Sequence, residues 1–121
     1  MNNAEFNTLL CERTFVFARM ILEFVESLPF NTSTKVIGGQ LLSAGTSVGA
    51  NFRAFCRGRS RNEKFSKICI VVEEADETLY WLSLFETSKY GNQNQRKVLA
   101  IEGDEILKIT SSIKNGLFPT R

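Results

Sequence analysis

The chain has no histidine. That removes the Ser-His and Cys-His nucleophile systems and the commonest metal ligand together. Cysteine is scarce: Cys11, Cys56 and Cys69 are odd in number, widely spaced and never form a CxxC, so neither a zinc knuckle nor a disulfide framework is suggested. The expectation is three buried, reduced thiols that pack as small hydrophobes. The alternative is a reactive thiol at Cys56, beside Arg53 and Arg57. No apolar run approaches the roughly 20 residues of a membrane span, and the opening MNNAEF has no basic start of a signal peptide. The expected setting is a reducing cytoplasm, with no membrane partner. No GxxxxGK[ST] follows a strand, so the glycine-rich GGQLLSAGTSVG is not read as a phosphate loop. No motif asks for a cofactor.

What is present is globular. The 121 residues are 43% hydrophobic and 23% charged, with only two prolines, enough for one domain (1–121) with a real core. Apolar residues recur at helical spacing in four segments, about 4–27, 33–57, 61–89 and 95–114. In the first, Phe6, Leu9, Leu10, Val16, Phe17, Met20, Phe24 and Val25 form the stripe, with Phe15 and Leu22 outside it. Pro29 closes it. The second opens at Thr32 or Ser33, either of which can cap it. It carries Gly38, Gly39, Gly45 and Gly49. Each glycine costs about 1 kcal/mol relative to alanine inside a helix, so close approach of a neighbouring backbone is expected.

Gly58 stops the second helix, and Ser60-Arg61-Asn62-Glu63 has the form of a capping box for the third. In the third, Phe65, Ile68, Val72, Ala75, Leu79 and Leu82 make one stripe. Val71, Thr78, Trp81 and Phe85 make a second, and Tyr80 and Leu84 lie on the remaining side. A helix apolar on several sides is buried on several sides. A subunit interface through Tyr80, Trp81, Leu84 and Phe85 is therefore expected. In the fourth, Val98, Ile101, Glu105, Ile106, Ile109 and Ile113 mark the main face, and Asn115-Gly116 ends it. Short connections give an all-α, antiparallel up-down-up-down four-helix bundle.

Charge is distributed unevenly. Net charge is only +2, yet residues 53–67 hold six basic residues against one acid, and residues 73–86 hold five acids. The basic run, Arg53, Arg57, Arg59, Arg61 and Lys64 with Lys67, brackets the turn between helices two and three. Cations in the first turn of a helix oppose its dipole, so Arg61 and Lys64 do not read as stabilisers. Two readings stay open: the corner meets phosphates, or it meets the acidic face of another subunit. The acids Glu73, Glu74, Asp76 and Glu77 read as a solvated face. A metal site there would need Glu102, Asp104 and Glu105 to reach it, and no metal is expected. Ser47 and Asn51, one turn apart on helix two, are read as polar residues that fix helix register through hydrogen bonds across to a neighbour. A Ser47–Lys67 catalytic pair is the remote alternative.

Ser47-Val48-Gly49-Ala50-Asn51, then Arg53, Arg57, Arg59 and Ser60, then Glu74-Ala75-Asp76-Glu77 running into Tyr80-Trp81-Leu82, resembles the bacterial 23S rRNA-intervening-sequence proteins. Many members carry Asn-Ile-x-Glu after the Ser-Val segment. Here Asn51-Phe52-Arg53-Ala54 has no acid at Ala54, so a role for that glutamate does not carry over. The resemblance implies an antiparallel four-helix bundle in a ring of five and no catalytic residues. Some members are encoded inside ribosomal RNA gene insertions. A related protein is the accessory partner of a reverse transcriptase in diversity-generating retroelements. Nucleic acid (RNA or DNA), a protein partner and further copies of the chain are the partners so implied.

Overall fold

Four helices of nearly equal length follow one another: α1 (Asn3–Glu26), α2 (Thr32–Cys56), α3 (Arg61–Glu86) and α4 (Gln93–Leu117). They are seen in a computed structural model that describes residues 1–117. The tail from 118 onward lies outside the described residues. Each helix packs on its sequence neighbours, and α1 meets α4 to close the bundle with the sparsest contact of the four pairs. The fold is all-α, antiparallel and up-down-up-down.

The caps explain the boundaries. Asn31, not Thr32 or Ser33, caps α2: its side chain accepts from the Thr34 amide while the Thr34 hydroxyl accepts from the Asn31 amide. This reciprocal pair satisfies two otherwise orphaned donors. At α3, the Ser60 hydroxyl accepts from the Glu63 amide. The Glu63 carboxylate reaches one residue further back than a capping box would, accepting from the Arg59 amide. Between α3 and α4, Gly91 takes φ +86° and lies against Phe24 and Leu28. There only glycine has both the conformation and the space. Helix α4 runs through Asn115 and Gly116 to Leu117, past the expected stop, and α3 ends at Glu86, short of it.

The core is Leu10, Phe17, Ile21 and Phe24 of α1, Leu41, Val48, Phe52 and Phe55 of α2, Ile68, Val71, Ala75, Leu82 and Phe85 of α3, and Leu99 and Ile106 of α4. The crossing of α1 on α2 needs glycine. A Cβ at Gly45 would stand 2.8 Å from Ile21 Cγ1, and one at Gly49 would stand 3.2 Å from the Thr14 carbonyl oxygen. Two of the four glycines in α2 therefore hold the close approach that the sequence demanded.

Several expected faces are turned. In α1, Ile21 is fully buried while Phe6, Leu9 and Val16 are exposed. In α4, Val98 and Ile101 are 52% and 70% exposed, and Arg96, Leu99, Gly103, Ile106 and Thr110 point inward. The reason is shared. Thr14, Thr78 and Thr110 are all fully buried. Each hydroxyl donates to a carbonyl of its own helix: Cys11 at 3.1 Å, Glu74 at 2.7 Å and Ile106 at 2.8 Å. A threonine satisfied in this way packs as a small apolar residue. Counting Thr14 and Thr110 as polar shifts the lines inferred for α1 and α4. In α3 the inward line is Ile68, Val71, Ala75, Thr78, Leu82 and Phe85. It combines members of both stripes, with Phe65, Val72 and Leu79 at the margin.

Candidate nucleic-acid interface

The end of α2, the turn at 57–60 and the start of α3 carry the five basic residues, and they are not equivalent. Arg57 caps α2 with its amide directed to the Arg53, Ala54 and Phe55 carbonyls. Cations at this helix end suit the negative pole of the dipole. Arg53, Arg57 and Arg59 are exposed, and among the described residues none of their side chains makes an ion pair or hydrogen bond. Arg61 is also exposed, but Nη2 donates to the Gly116 carbonyl at 3.5 Å, at the C-terminal end of α4. Lys64 is half-buried, with Nζ 5.3 Å from the centre of the Phe55 ring. Its stem covers Gly58, where a Cβ would meet Lys64 Cγ at 2.8 Å. Two of the five cations are therefore used by the fold, against the sequence expectation that stability does not explain them. Three are not. A free guanidinium offers five N–H donors in a fork that matches phosphate oxygens.

The acids of α3 do not neutralise this corner. Among the described residues no ion pair joins Glu73, Glu74, Asp76 or Glu77 to any of the five. Partial burial, then the charges of Glu77 and Glu73, raise Glu74 above the usual glutamate range. Glu77 accepts from Trp81 Nε1 at 3.2 Å. Glu102 and Glu105 are turned to α1, where they bind Arg13, so they do not extend the acidic group. Among the described residues no cluster of three or more potential ligands is placed to hold a metal ion.

The other sequence candidates scatter. Asn51 Nδ2 donates to the Ser47 carbonyl of its own helix at 2.9 Å, not across to a neighbour. Tyr80 and Leu84 are 57% and 36% exposed, and Tyr80 lies edge-on to the half-buried Trp81 at 4.9 Å. Phe85 does not belong with them. It is 3% exposed and packs edge-to-face on Phe24 at 5.6 Å, because it falls on the inward line of α3. It is therefore a core residue and cannot present a surface to another subunit.

Sequence reasoning missed two arginine clamps. Arg13 binds Glu102 through Nε at 2.7 Å and Nη2 at 2.8 Å, and Glu105 through Nη2 at 2.9 Å. Arg96 is 6% exposed, donates from Nε to Gln93 Oε1 at 2.7 Å, and holds Nη1 3.6 Å from Glu86. A glutamine three residues before an arginine on one helix was the available signal for the second. Contact between residues 89 apart left none for the first. Near Arg13, exposed Leu9 and Val16 flank a shallow cleft with Glu12 and Glu102. A second cleft of about 260 Å³ opens between Met20, Phe24, Val98 and Leu99.

These features define a small helical bundle whose charges are paired along the α1–α4 flank and, among the described residues, unpaired at Arg53, Arg57 and Arg59 of the α2–α3 corner. The chain belongs to the 23S rRNA-intervening sequence protein family, whose model matches residues 7–112. It is similar to a solved protein of unknown function from the S23 ribosomal protein family of Bacteroides thetaiotaomicron. The two are 30% identical with a TM-score of 0.80 over 90% of this chain and 97% of that one. No curated protein matches the chain. Among the described residues no helix is long and apolar enough to cross a membrane.

Proposed function

We propose that this protein is a non-enzymatic, homo-oligomeric bundle of the cytoplasm that binds structured RNA or an RNA/DNA substrate at its α2–α3 corner. Arg53, Arg57 and Arg59 make the phosphate contacts, and Arg61 and Lys64 hold the edges of the surface. The observation that carries this reading is the set of three exposed guanidinium groups without a partner among the described residues. Exposed Tyr80 and Leu84, with Trp81, form part of the subunit interface. In the ring of five that the family resemblance implies, five copies at +2 give +10 and five corners. Multivalent contact then strengthens a weak single site.

A second reading has a specific observation behind it. Leu9, Val16, Val98 and Ile101 are apolar and exposed on α1 and α4, which suits a protein-interaction scaffold or an accessory subunit docked to a partner such as a reverse transcriptase. Fluorescence anisotropy with a structured RNA and a duplex DNA across a salt series separates the two. Phosphate contacts give a linear fall of log K with log salt, about 0.7–0.9 per contact. The Arg57→Ala/Arg59→Ala variant should lower that slope by about 1.4–1.8 while keeping its assembly state by light scattering. Absence of binding at low salt would transfer the corner to protein contact.

A further inference from the structure

Two of the three cysteines meet across 45 residues of sequence. Cys11 Sγ of α1 and Cys56 Sγ of α2 are 3.5 Å apart, and both side chains are half-buried. A disulfide needs about 2.04 Å between the sulfurs, so the pair is roughly 1.5 Å short of bonding distance. The backbone around Cys11 is held: its carbonyl accepts from Thr14, and Thr14 lies under Gly49 of α2. The backbone around Cys56 is the last residue of its helix, where a small adjustment is least costly. Cys69 lies on α3, and no hydrogen bond links it to either thiol.

The geometry points to Cys11 and Cys56 as a pair built to close as a reversible intrachain disulfide when the cell meets a hydroperoxide. The chemistry balances with hydrogen peroxide as oxidant. The Cys11 thiolate attacks one peroxide oxygen; an S–O bond forms, the O–O bond breaks, and the departing hydroxide takes up a proton to leave as water. Cys56 then gives up its proton, and its thiolate attacks the resulting sulfenic sulfur. The S–S bond forms, the S–O bond breaks, and the hydroxyl leaves as a second water with the Cys56 proton. Two thiols lose two electrons and the peroxide gains them. Burial first, and then the hydrogen bond shared with Cys11, pushes the Cys56 thiol well above the usual range, so Cys56 is the less ready of the two to meet the peroxide first. A dithiol reductant reverses the bond by exchange. The bridge would fasten α1 to the helix end that carries Arg53 and Arg57. It stands independently of what those arginines bind.

The test is titration of the full-length reduced protein with hydrogen peroxide. Thiols counted after denaturation should fall from three to one, intact mass should fall by about 2 Da, and dithiothreitol should restore both. Peptide mapping should join Cys11 to Cys56 within one chain. Cys69→Ser should leave the bridge intact. Cys56→Ser should abolish it and leave Cys11 oxidised beyond the thiol, and Cys11→Ser gives a second way to abolish it if that variant folds poorly. Three thiols persisting where a free control thiol is consumed would overturn the proposal. So would a bridge to Cys69, a bridge between chains, or an oxidised form that melts below the reduced one.

Discussion

Arg13 and Arg96 differ from Arg53, Arg57 and Arg59 in what surrounds them, not in kind. Arg13 joins α1 to α4 through two carboxylates, at the neighbouring helix pair whose backbones approach each other least. Glu102 first, and then Glu105, raise its pKa further above an already high value. Arg96 is buried at the start of α4, next to Gln93, whose Nε2 donates to the Phe85 carbonyl. These two arginines fasten the bundle. The three at the corner are exposed and pair with nothing among the described residues. A count of arginines treats all five alike, whereas the positions of carboxylates and carbonyls around them separate structural from available charge.

The contrast breaks first, if it is wrong, at Arg96. Arg96→Ala removes a buried stem, a hydrogen bond to Gln93 and the pairing with Glu86. The expected loss is about 2–3 kcal/mol of unfolding free energy, read from the urea midpoint, with anisotropy-measured affinity per folded molecule unchanged. A loss below about 0.5 kcal/mol would place Arg96 with the dispensable charges.

Arg13→Ala comes next. Its side chain is 32% exposed and that of Glu105 is 56% exposed, so solvent screens part of the interaction. About 1–2 kcal/mol is expected, between the values for exposed pairs and well-formed bidentate ones. The loss should shrink in high salt. Equal stability of variant and parent at low salt would show that packing alone holds α1 to α4. At the corner the expectation reverses: Arg57→Ala/Arg59→Ala should change stability by no more than about 0.5 kcal/mol. A larger loss would mean that these residues are structural too.

The fold class and the location of the corner were legible because they rest on local signals. Helical periodicity, Ser60 before α3 and a run of cations with one acid are all read within a few residues. The faces were less legible. Buried Thr14 and Thr110 satisfy their own hydroxyls, and Gly103 occupies an inward position as a gap in the hydrophobic pattern, so the apolar stripes of α1 and α4 lie a step away from the buried lines. In α3 the apolar residues run nearly all round, so periodicity alone does not separate Phe85 on the buried line from Tyr80 and Leu84 on the exposed side. The internal split of the corner was not legible at all. It depends on Gly116 and Phe55 coming within reach of Arg61 and Lys64, and on carboxylates from α4 meeting α1. The Cys11–Cys56 contact is equally long-range.

The acidic band of α3 gives the smallest effect and the finest test, because it is the counterpart of the corner: like charges side by side, with no ion pair to Glu73, Glu74, Asp76 or Glu77 among the described residues. Glu74 is raised, by partial burial first and then by Glu77 and Glu73. A carboxyl whose folded pKa exceeds its unfolded one binds its proton more tightly in the fold. Its contribution to stability is therefore complete below the unfolded value, is lost as pH rises through the folded one, and leaves the ionised group unfavourable at neutral pH. Glu74→Gln should accordingly melt above the parent at neutral pH. The gap should close on acidification to about pH 4 and narrow with added salt. A variant that melts below the parent at neutral pH would show that the Glu74 carboxylate has a favourable partner, and that the band, unlike the corner, is satisfied within the chain.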